Sequence, residues 1–342
     1  MKIDHTKRLR VGSLALLGAS VACVVILEGA ANAAPLTLTP TGIADGFTLS
    51  TFATLNPGNT GFGPFGVAVA SNGNIIVSNF PDNQRYVFND VDGQTTASAL
   101  TQVTSNTSTL AYATAGGQAY GGDGAGHFVQ YNTDGTINHV LTGVTASPDL
   151  GMWGNPVNGH ILASSSAGLI DIDPLANGGA GSFRVVNASG NGDGVSVSPD
   201  GTIVYSEQGS INGYDIATGA LVFSSGALFG SPDGTGVISS SNALNGQIIV
   251  NTNNGTVDLL DPITKTFVVI ASGGTRGDYV SPDTNNGTLF LDYSEAVFRL
   301  SCGADCSIGG PPPTSGVPEP ASLSLFGGGL AMLVGLARRK LG

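Results

Sequence analysis

Four aspartates open short β-type runs at recurring intervals: Asp149 (SPDLGM), Asp193 (GDGVSV), Asp233 (PDGTGV) and Asp278 (GDYVSP). If those runs are equivalent strands lining one axis, their carboxylates converge at one height. Converging carboxylates repel unless a cation sits between them or their pKa values rise. An all-oxygen donor set with flexible geometry suits a hard divalent ion, Ca²⁺ above others. Aspartate also opens turns and satisfies N–H groups at strand starts, a second use of the same residues. Both uses remain open from sequence.

Other chemistry finds little support. Asp171, Asp173, Asp258 and Asp261 stand in turn-like contexts and read as turn and solvation residues. His127, His139 and His160 are scattered, with no Glu partner at metal spacing, and read as ordinary strand residues. No Gly-x-Ser-x-Gly joins a strand to a helix, so the hydrolase nucleophile elbow is absent. The glycine-rich run near Gly121 has no helix after it to face a phosphate. Phe65, Met152 and Trp153 fall near the channel ends of their strands, placed either to stack on a sugar face or to pack between repeats. No catalytic residue is assigned.

The elements that must position these residues form a repeat. Asp193 to Ser224 reads as four strands, with apolar residues alternating at Val195/Val197, Ile203/Tyr205, Tyr214/Ile216 and Leu221/Phe223. A glycine opening the second strand recurs as Gly73, Gly117, Gly159, Gly201, Gly246 and Gly287. A period of roughly 40 to 45 residues with four strands per unit marks a β-propeller blade, and six anchors predict six blades. The sixth copy stops at Cys302 without a fourth strand. Phe47 to Phe52 alternates as a strand should, and is predicted to complete the last blade and close the ring. The fold class is therefore all-β, a six-bladed propeller.

The chain has 342 residues, 52 of them glycine, and a net charge of −12. Between Pro35 and Gly316, five basic residues face 21 acidic ones, a net of −16. No basic patch is available to neutralise phosphates, which disfavours nucleic acid as a partner.

Both ends read as addresses. Lys2, Lys7, Arg8 and Arg10, an apolar run from Val11 to Leu27 and Ala31-Asn32-Ala33 make residues 1–33 a signal peptide cut after Ala33, with an uncleaved anchor as the alternative. Cys23 lacks the context of a lipoprotein site. Residues 34–306 form the propeller, and 307–316 (SIGGPPPTSG) a Pro/Gly/Ser linker. Cys302 and Cys306, the only cysteines after cleavage, favour a small disulfide loop over a metal site. Residues 317–342 combine Val317-Pro318-Glu319-Pro320, a membrane-spanning helix over Ala321 to Ala337, and Arg338, Arg339 and Lys340, which stay cytoplasmic.

That tail resembles the PEP-CTERM sorting signal of Gram-negative bacteria. The resemblance implies processing by an exosortase near Pro318-Glu319-Pro320 after export, then a cell-surface or extracellular location, commonly beside exopolysaccharide systems. The first blade, PFGVAVASNGNIIVSNFPDNQRYVFNDVDGQ, resembles the NHL repeat. GDGVSVSPDGTIVYSEQGSINGYDIATG and SPDGTGVISSSNALNGQIIVNTNNGTVDLLDPITK resemble blades of senescence-marker and gluconolactonase propellers. The latter group implies a divalent metal at the channel mouth, with Asp233 at its Asp position and Asp193 at its Asn position. Its Gly-Glu-Gly-Pro reads Gly61-Phe62-Gly63-Pro64 here, and Phe62 cannot bind a metal. The expected function is a surface or matrix propeller acting as a binding or scaffold module. Its partners are exosortase and secretion machinery, and extracellular polysaccharide or another surface protein. The alternative is a metal-dependent hydrolase or lyase of the lactonase type using the Asp ring.

Overall fold

The computed structural model describes residues 35–104, 111–227 and 230–310. The expected signal peptide (1–33) and sorting tail with its membrane helix (317–342) lie outside them. No helix among the described residues is long and apolar enough to cross a membrane.

Six sheets, antiparallel except where Ala53–Thr54 pairs with Gln94–Thr95, share one axis. Their innermost strands are Pro64–Val69, Tyr112–Ala115, Pro148–Gly154, Val195–Val197, Pro232–Ser240 and Gly277–Asp283. Each touches the next, and the sixth returns to the first, which closes the ring. All six repeat glycines have φ between +72° and +83°, so the recurring residue is the left-handed position of each inner hairpin. The central strands are apolar on both sides because each blade is covered twice. In blade 3, Ile161 and Ala163 face a core shared with Tyr120 and Phe128 of blade 2. Leu162 between them faces Val195 and Val204 of blade 4.

Closure follows the sequence. Thr48–Thr54 pairs antiparallel with Ala296–Ser301, from Thr48 opposite Ser301 to Thr54 opposite Ala296. Arg299 pulls the seam together through Asp90, Asp92 at 2.9 Å and Asp283 at 3.1 Å. Its guanidinium lies between Phe52 and Phe290 at 5.0 and 5.1 Å from the ring centres. Upstream, Thr37–Leu38 covers the outer edge of blade 5 by pairing with Ser272 and Ala271.

The far end of the chain corrects the expected boundary at residue 306. Cys302 and Cys306 form a disulfide. Cys306–Ile308 then pairs with Ile238–Ser240 of blade 5, and Gly309 N–H donates to the Val237 carbonyl at 2.8 Å. A Cβ on Gly309 would lie 2.1 Å from Trp153 of blade 3 and 3.1 Å from Pro282 of blade 6. Ser307 to Gly310, read as the start of a linker, are instead a buried strap across the end of the channel where the inner strands finish. Higher up, Tyr279 crosses the channel: its hydroxyl lies between the carbonyls of Tyr112, at 2.8 Å, and Met152 and shares its proton with them. The opposite mouth is therefore blind.

Candidate functional site

That mouth holds a cavity of about 350 Å³, whose lining includes Asp193, Asp233, Arg276, Asp278 and three phenylalanines. Three of the four predicted carboxylates line it. Asp149 sits on the same rim but turns aside to accept from Asn191 at 2.8 Å. The carboxylates form an arc over blades 3 to 6, and blades 1 and 2 contribute none.

Close backbone approach assembles the arc. A Cβ on Gly194 would fall 2.3 Å from the Asp233 carbonyl oxygen, and one on Gly234 2.9 Å from that of Asp278. Neither glycine has a left-handed φ. In Asp193-Gly194 and Asp233-Gly234 the glycine therefore serves contact between neighbouring inner strands, and the turn explanation fails at these two positions.

The cation between the carboxylates is part of the chain. Arg276 reaches Asp278 with one guanidinium nitrogen and Asp233, at 3.4 Å, with another. Its guanidinium lies 4.4 Å from the centre of the Phe62 ring. One charge does not neutralise the group, and the pKa values respond. Burial, then the neighbouring Asp233, push Asp278 far above the ordinary carboxylate range, against the opposing pull of Arg276. Burial, then Asp193, push Asp233 up by less. Glu207, at the end of the second strand of blade 4, is pushed up to about 7, by burial above all. Asp292 is wholly buried, neither of its oxygens has a hydrogen-bond partner among the described residues, and burial, then Asp278, push its pKa well up.

Phe62, Phe65 and Phe80 form the wall, with ring centres 5.3 to 5.5 Å apart. The loop carrying Phe62 is pinned by Asn59, whose amide donates to the carbonyls of Phe62 at 2.6 Å and Ser294 at 3.0 Å. Of the three candidate stacking residues only Phe65 lines the cavity. Trp153 is buried against the strap, and Met152 lies in the core between blades 2 and 3. Reasoning from sequence missed Arg276, Glu207, Asp292 and Phe80; the one available signal was an arginine two residues before Asp278 in an arginine-poor body.

The residues do not fit the expected Ca²⁺. A guanidinium, with the Phe62 ring on its face, stands where a divalent ion would need to approach Asp233 and Asp278. Among the described residues no three His, Cys, Asp or Glu side chains gather as ligands. His160 bonds Asp171 at 2.9 Å, and Arg184 holds the other oxygen of Asp171 at 2.7 Å, so Asp171 serves an ion-pair ladder on blade 3.

No family model matches the chain, and no curated protein matches it. Among solved structures it is similar to a gluconolactonase from Xanthomonas campestris described as important in glucose secondary metabolic pathways. The TM-score is 0.52 at 16% identity, covering 78% of this chain and 94% of that one. A streptogramin B lyase overlaps at TM-score 0.48 and 12% identity, over 75% of this chain and 97% of its own. A dihydro-haem d1 dehydrogenase overlaps at 0.45 and 15%, over 66% and 50%. The last two are too distant to carry an argument, and the first, at its low identity, establishes a shared six-bladed propeller fold and no chemistry.

Proposed function

We propose that the blind mouth is the active site of a hydrolase or lyase acting on a small neutral carbonyl compound, with a cyclic ester as the substrate that suits it best. The observation that carries this reading is the buried Asp278, which lines an open cavity beside Asp233 and Arg276 and whose carboxyl is pushed up to about 8 by burial and by Asp233. Two carboxyls whose environments push their pKa values apart supply an acid and a base at one place. Asp233, ionised first, takes a proton from water as the water oxygen bonds to the carbonyl carbon. Arg276 stabilises the negative charge gathering on the carbonyl oxygen. Asp278 gives its proton to the ring oxygen as the carbon–oxygen bond breaks, and regains one from Asp233 when the hydroxy acid leaves. No step passes through a metal. The test is turnover of a lactone panel by the purified protein, with and without chelator. Chelator-insensitive turnover, lost in Asp278→Asn, is expected; no turnover of any lactone or ester sinks the reading.

A second reading is favoured by where the chain leaves the body. Gly310 lies at the strapped end, opposite the cavity. The chain beyond Gly310, with the Pro318-Glu319-Pro320 motif read as a sorting signal, therefore starts from the end away from the mouth. That placement suits a surface or matrix binding module as well as an enzyme, and export with exosortase processing belongs to both readings. Saturable binding of a ligand without turnover selects the binding module.

A further inference from the structure

We infer that the ligand of this cavity has an apolar body and one neutral polar head, and is not a polyhydroxylated sugar derivative. Phe62, Phe65 and Phe80 belong to none of the hydrophobic cores between the blades. They pack on one another and line the cavity, and Phe62 is 51% exposed. Three clustered phenyl rings left at an opening, beside the half-buried Leu150, make an exposed apolar patch with no role in the core.

The polar side of the cavity is confined to the carboxyls and Arg276. Among the described residues the lining contains no Ser, Thr, Asn, Gln or His, and the Tyr279 hydroxyl is spent on the carbonyls of Tyr112 and Met152. Hydroxyls placed along the phenyl wall would lose water and find no partner, so a sugar ring is penalised at each one. A cationic head gains no stacking on Phe62, because Arg276 already occupies that ring face. What fits is a head that exchanges hydrogen bonds with the carboxyls and Arg276, carrying an alkyl or aryl group up against the rings.

As a statement about substrate this rests on the acid–base reading above, and the experiment separates the two. Three probes are titrated calorimetrically into the whole protein: a phenyl-substituted γ-lactam, which resists hydrolysis, a polyhydroxylated lactam, and tetraethylammonium. The phenyl lactam is expected to bind at least tenfold tighter than either. Phe62→Ala and Phe80→Ala should weaken it about tenfold each, with Phe→Leu restoring part of the loss; the exposure of Phe62 leaves its variants folded, checked by an unchanged Tm. Tighter binding of the hydroxylated or cationic probe, or binding indifferent to both alanine variants, overturns the inference. Turnover of the matching lactones tells which idea failed. If the phenyl lactam binds but no lactone is cleaved, the ligand class stands and the acid–base reading falls. If the hydroxylated lactone is cleaved faster, the ligand class falls and the acid–base reading stands.

Discussion

Two arginines in this propeller are surrounded by the same chemistry and do different work. Arg276 and Arg299 each hold at least two carboxylates and each lie against phenylalanine. Arg299 is sandwiched between two rings buried in a core and joins Asp283 of blade 6 to the Asp90–Asp92 loop between the third and fourth strands of blade 1. Arg276 has a ring on one face, and that ring is half in solvent beside a cavity of about 350 Å³. Charge and residue type do not distinguish a seam from a site. Access does: the seam spends all its contacts on the fold, and the mouth leaves carboxyls of perturbed pKa open to a ligand.

The comparison breaks first at Asp278. Asp278→Asn keeps the shape and removes the transferable proton, so lactone turnover should fall by about 10² to 10⁴-fold with little loss of Tm. A large loss of stability with unchanged turnover would make the mouth a second seam. Arg299→Ala is the mirror experiment. It strands Asp283 and its neighbours without their cation and should destabilise by about 3–5 kcal/mol in denaturant titration. The lactone KM of the folded fraction should stay unchanged; a rise in KM would mean that the seam positions the site.

The strap should matter less. Replacing both cysteines with serine opens a loop of five residues and should cost about 2 kcal/mol on a chain-entropy estimate. An unchanged unfolding midpoint would show that Cys306 to Gly310 hold their place by packing alone.

The smallest effect is a slope with pH. Asp233, Asp278, Asp283 and Asp292 have raised pKa values, Asp258 reaches about 6 and Glu207 about 7. The folded state thus keeps protons that the unfolded state has already released above the ordinary carboxylate range. The stability that these raised groups contribute is full below that range and is lost as pH rises through their folded pKa values. Asp123, Asp134, Asp200, Asp215 and Asp261 are shifted the other way and act only at more acidic pH. The Tm should fall by about 5 °C between about pH 5 and pH 8. A rise over that interval would mean that the buried carboxyls are stabilised as anions, contrary to the description of the mouth.

The blade count, the missing fourth strand and its replacement near Thr48 were legible because they follow from period-two alternation and one left-handed glycine per repeat. Asp149, Asp193, Asp233 and Asp278 were legible as one rim for the same reason, since equivalent positions in equivalent blades share a height. Arg276 was not. Whether it reaches Asp233 depends on how closely blades 5 and 6 approach, and Gly234 rather than any charge pattern sets that distance. Phe62 was noticed as a departure from a metal-ligand position, yet its meeting with Phe80 depends on a loop pinned across to Ser294. The strap was misread because Ser, Gly and Pro normally mark a linker, while here Gly309 is small because Trp153 lies against it.

By itself, then, the sequence determined the all-β repeat, the closure of the ring and the acidity of one rim, because each follows from local pattern and composition. Only the tertiary structure decided that the rim surrounds an arginine, that one end of the channel is strapped shut, and which carboxyls have raised pKa values. Those outcomes depend on burial and on distances between residues from different blades, which no local pattern encodes.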